Sequence, residues 1–98
     1  MREQNSVLAN MGAATWSAED GTAYEVALEG INHVVGAYSG RIREARAAGD
    51  SEGVRVFLQE RTAWSQKRRS LSPVDRRTVD ALTAEAAEVL ASLRGGAR

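Results

Sequence analysis

From Tyr24 onward the large apolar residues fall at Leu28, Ile31, Val35, Tyr38 and Ile42, closing with Ala45. The steps between them alternate four and three residues. That is the repeat of an α-helix packing knobs into holes along one seam. Ala27 and Val34 lie beside the seam and widen it to the breadth of a bundle helix. A strand repeats every two residues, so this spacing predicts a helix, and a helix that must find something to pack against.

Other helices are the only partners the chain offers. Strand-rich folds need frequent turn residues, whereas proline occurs once, at Pro73. Ser17 predicts an N-cap, with Glu19 and Asp20 placing negative charge in the first turn where the helix dipole favours it. Gly49 predicts the end, giving a first helix over about 18–48. Ser51 predicts the cap of a second helix over about 52–69. Ser72, with Pro73 at the first helical position and Asp75 behind it, predicts a third over about 73–93, ending at Gly95–Gly96. In that helix Val79, Leu82, Ala86, Val89 and Leu93 repeat the three–four spacing, with Leu90 alongside. The fold expected is all-α: a three-helix antiparallel bundle, or a long helical hairpin with its second arm broken at Pro73. Residues 17–95 form one helical domain, 1–16 an arm without sustained period, and 96–98 a tail. A fold-back brings Lys67, Arg68 and Arg69 near Glu19, Asp20 and Glu25, which favours the bundle.

Gly30, Gly36 and Gly40 interrupt the first helix, and each costs about 1 kcal/mol relative to alanine in an exposed position. On the wheel, Val26, Gly30, His33, Ala37 and Gly40 form a second row, opposite the seam, with Gly36 beside it. A plain solvated face would carry Lys, Glu and Arg there. Small residues four apart, as at Gly36 and Gly40, admit another backbone closely. The reading taken is that the first helix works on both sides, one against its own bundle and one against a second copy or a protein partner. Symmetric dimers are the commonest assemblies, which favours the second copy. The competing reading is a merely solvated, weakened helix.

The second helix places Val54, Phe57, Arg61, Trp64, Arg68 and Leu71 on one three–four row, so arginines fall in line with apolar residues. Arg61 and Arg68 flanking Trp64 suggest guanidinium stacking. Two roles compete. Trp64 serves as a stacking platform with Lys67, Arg68 and Arg69 on phosphates, or the arginine stems cover the bundle edge and pair with acids of the first helix. The second is preferred. Charge is zero overall, but residues 41–77 carry ten basic groups against five acids. Only that segment could draw nucleic acid.

Catalysis finds little support. There is no cysteine and one histidine, His33. No phosphate loop, nucleophile elbow or zinc spacing occurs. Neither cofactor nor metal is expected. With no signal-like or membrane-spanning run, the expected location is cytoplasmic. LSPVDRRTVDAL, residues 71–82, resembles the opening helix of response-regulator-type helix-turn-helix domains. The resemblance ends there, because TAEAAEVLASLRGG supplies no turn and polar recognition helix, and the chain is assigned to no family. The function expected is a small, non-enzymatic, self-associating interaction module, an adaptor or regulator. The alternative is a nucleic-acid-binding accessory protein using the basic segment 41–77.

Overall fold

The computed structural model describes residues 17–96. The arm expected over 1–16 and the last two residues of the tail lie outside that range. Three helices follow one another: α1 (Ala18–Ala47), α2 (Ser51–Ser70) and α3 (Arg76–Ala91), the last running into a π-helical turn, Ser92–Gly96.

The start of α1 is the capping box read from sequence. The Asp20 N–H donates to Ser17 Oγ at 3.1 Å, and the Ser17 N–H returns to Asp20 Oδ2 at 3.2 Å. Its end is set by Gly49, whose φ of 71° is a left-handed conformation that side chains resist. There the Gly49 N–H bonds the Arg46 carbonyl at 3.1 Å and the Asp50 N–H bonds the Ala45 carbonyl at 2.8 Å. Asp50 then caps α2 itself, its carboxylate accepting from the Gly53 N–H at 2.9 Å. The cap is therefore Asp50 rather than Ser51, and one short connection ends one helix while starting the next.

The contacts fix direction. Arg68 Nε meets Asn32 Oδ1 at 3.0 Å and Arg61 Nη1 meets Ser39 Oγ at 2.8 Å, so α2 descends antiparallel to α1. Along α3, Arg76 reaches Asp20, Ala86 lies against Gly30, and the Leu93 carbonyl accepts from Arg41. Those contacts climb both helices together, so α3 runs parallel to α1. The architecture is an up-down-up bundle. The continuing hairpin is excluded, because the chain reverses at Pro73.

The reversal is a β-turn. The Asp75 N–H bonds the Ser72 carbonyl at 3.1 Å, with Pro73 at the second position where its fixed φ suits a turn. This corrects the expected start of α3. Asp75, accepting from the Thr78 N–H at 3.2 Å, is the cap, and Arg76 is the first helical residue. Proline suits a first helical position and a turn equally well. The turn prevails here because Leu71, extended and 8% exposed, has to swing into the core at the corner.

The core is a narrow stripe along α1. Ala27, Ile31, Val34 and Tyr38 are buried with Trp64, Leu71, Val79, Leu82 and Ala86. Each fully buried Ile or Val contributes roughly 1.5–3 kcal/mol. Tyr24, Leu28 and Val35 of the expected seam are only half-buried, while Ala27 and Val34 beside it are fully covered. The shift is rotational: α2 and α3 meet α1 along the line of Ala27, Ile31, Val34 and Tyr38, about 100° round the helix from Leu28 and Val35. Length adds to the exposure at the foot. α1 has 30 residues and α2 only 20, so α2 ends before covering the foot of α1. α2 and α3 both lie on α1 yet no Cα of one comes within 8 Å of the other. α1 is the shared spine, and its opposite side is left bare.

Candidate interaction surface

The second row of α1 is divided by α3. Gly30 belongs to the bundle: a Cβ placed there would stand 3.4 Å from the Ala86 Cβ, and the missing side chain lets α3 sit close. Ala37 and Gly40 are half-buried at the edge of the row. His33 and Gly36 are exposed, and Val26 is 48% exposed. Nothing lies within 4 Å of a Cβ placed on Gly36, and the only neighbour of one on Gly40 is the Arg43 guanidinium at 3.7 Å. The row read as one face is thus divided: Gly30 inside, Ala37 and Gly40 at the edge, and Val26, His33 and Gly36 outside.

Beside the outer part runs a shallow groove of about 580 Å³. Gly36, Ala37 and Gly40 floor it, and Leu93 and Arg94 of the C-terminal turn form the far wall. Arg41 bridges the two sides, donating to the Leu93 carbonyl and standing 3.6 Å from the Glu44 carboxylate. Its cation satisfies a carbonyl at the end of α3, where a positive charge is favoured. Leu93 packs against the core, as its place in the α3 row predicted, and also lines the groove, while the sequence reading gave Arg94 no part and counted Arg41 only in the basic segment. The groove exists because α3 runs parallel to α1, as the expected antiparallel bundle implies, and its end comes to lie beside Gly40, which the spacing did not indicate.

Trp64 is 3% exposed and packs in the core, so its ring has no face free to stack a base. The cation over it is Lys67, 5.5 Å from the ring centroid, and not Arg61 or Arg68. Those two turn toward α1 and bond neutral partners, Ser39 and Asn32, where acids were expected. Ser39 Oγ passes the chain on by donating to the Val35 carbonyl at 3.1 Å, so the Arg61 bond ends in satisfied backbone. Tyr38 lies against Phe57, ring centroids 6.1 Å apart. Burial, and then the charge of Glu60, pushes its phenol above the ordinary tyrosine value.

Expected charge pairing also changes. Asp20 is held by Arg76 at 2.8 Å, and Arg76 reaches Asp80 at 2.9 Å. The Arg76 side chain, followed by the Ser17 N–H, keeps the Asp20 carboxyl below the usual carboxylate range. Lys67, Arg68 and Arg69 have no acid within ion-pair distance, since α2 stops short of Glu19, Asp20 and Glu25. Glu25, Glu29, Arg43 and Arg46 on the bare side of α1 are likewise without an ion pair.

Among the described residues no group of three His, Asp or Glu could hold a metal ion, and no buried side-chain polar atom lacks a partner. No helix among them is long and apolar enough to cross a membrane. What the arrangement offers chemically is surface: a smooth, small-residue helix back with separated charges, and a groove at its edge. Comparison with protein-family models, with curated proteins and with solved structures returns no match.

Proposed function

We propose that the protein is a small, non-enzymatic interaction module that associates with itself in the cytoplasm through the back of α1, acting as an adaptor or regulator. One observation carries this reading. Both other helices pack on one side of α1, and the other side is left open at Val26, Gly36 and Gly40. An α-helix that only faced solvent would gain from alanine, lysine or glutamate at those glycines. Close approach of another helix offsets their cost. The solution mass on a sizing column with light scattering tests it: an assembly larger than one 10.5 kDa chain, at low and high salt alike, is expected. A single-chain mass at both salts contradicts it.

A second reading draws on the unpaired cations at the α2–α3 corner, Lys67, Arg69 and Arg77. They suit phosphates on nucleic acid, without help from the buried Trp64. Such binding weakens steeply with added salt, so a salt titration with a short duplex separates this reading from self-association.

A further inference from the structure

We infer that the back of α1 is self-complementary and takes a second copy of this chain in antiparallel orientation, crossing near Gly36, with Glu29 of each copy set against Arg43 of the other. The inference rests on the self-association proposed above and adds its geometry. Glu29, Gly36 and Arg43 are spaced seven apart, so they stand in one line along the helix, the charges about 10 Å to either side of the glycine. All three are exposed, and neither charge has an ion pair within the chain. The Arg43 guanidinium already lies back toward the centre, 3.7 Å from where a Gly40 Cβ would be.

A two-fold axis across the helix near Gly36 exchanges the two ends and brings each acid to a base. Parallel pairing would stack Glu29 on Glu29 and Arg43 on Arg43. Glu25 and Arg46, also exposed and without an ion pair, put a further acid beyond Glu29 and a further base beyond Arg43. At the centre Gly36 has open space where a side chain of the second copy fits, and Val26, 48% exposed, is covered by the incoming helix. α2 and α3 cover the front of α1, and the nearest part of the chain to Gly36 on the back is the C-terminal turn, Leu93 and Arg94, across the groove. Exposed ion pairs are individually weak, and here they set orientation while the close helix contact supplies affinity.

Charge exchange in the full chain tests this. Glu29→Arg and Arg43→Glu each place like charges across the contact and are expected to weaken association about tenfold. The double variant Glu29→Arg/Arg43→Glu restores opposite charges and is expected to recover the original affinity. An equimolar mixture of the two single variants forms mixed dimers for the same reason. Dissociation constants by sedimentation, with circular dichroism to confirm unchanged helicity, read the outcome. A self-associating wild type that ignores both single changes, or a double variant that stays weak, overturns the antiparallel pairing while leaving self-association intact. A monomeric wild type removes both.

Discussion

Gly30 and Gly36 are six residues apart on one helix, and their surroundings differ completely. The first faces Ala86, and its missing side chain lets α3 lie close. The second faces nothing within 4 Å. The contrast extends to the two sides of α1. The front, from Ala27 to Ala45, is buried under α2 and α3, whereas the back carries unpaired charges around a smooth centre. Glycine in this helix therefore has two distinct settings, one packed within the bundle and one open, where we propose that a second helix docks.

Substitutions that act on one side only can break this comparison. The largest effect belongs to the front: Trp64→Ala empties a core site and is expected to cost about 3–5 kcal/mol. That is most of the stability of so small a domain, and chemical denaturation should read it as loss of the folded baseline. Gly30→Leu forces a side chain against Ala86 and is expected to cost about 1–3 kcal/mol through overpacking, seen as a lowered denaturation midpoint. Gly36→Ala has room within the chain, so at concentrations where the protein is dissociated it should stabilise the fold by about 1 kcal/mol through propensity. If the two glycine changes move the midpoint alike, the two sides are not distinct.

The smallest effect sharpens the account of the helix starts. The Asp20 carboxyl is depressed chiefly by Arg76, and that of Asp75 chiefly by Thr78. A depressed carboxylate adds stability above its ordinary value, near pH 4, and loses it as pH falls through the lowered one. Melting temperature should stay level down to about pH 4 and fall below it, and Asp20→Asn should flatten that fall.

Much of this was legible in the residues. The four–three spacing announced α1, the Ser17–Asp20 box and Gly49 bounded it, and Val79, Leu82 and Ala86 marked the inner side of α3. What escaped depended on competition between equally good local signals. Asp50 and Asp75 displaced neighbouring serines as caps, and Ser72–Pro73 formed a turn where a helix start fitted the same letters. The second row of α1 looked uniform because a wheel carries no information on where α3 will lie. Only the parallel course of α3 assigns Gly30 inward and Gly36 outward. The same course puts Arg76, not Lys67 or Arg69, beside Asp20.

The claim that α1 works on both sides is tested most directly by the solution mass of Gly36→Leu/Gly40→Leu beside the wild type. The account predicts a wild type larger than one 10.5 kDa chain, and a double variant that falls to the mass of a single chain while keeping the wild-type helicity, since neither glycine is part of the core. A double variant that keeps the wild-type mass would contradict it, because two leucines on that surface leave no room for another helix to approach.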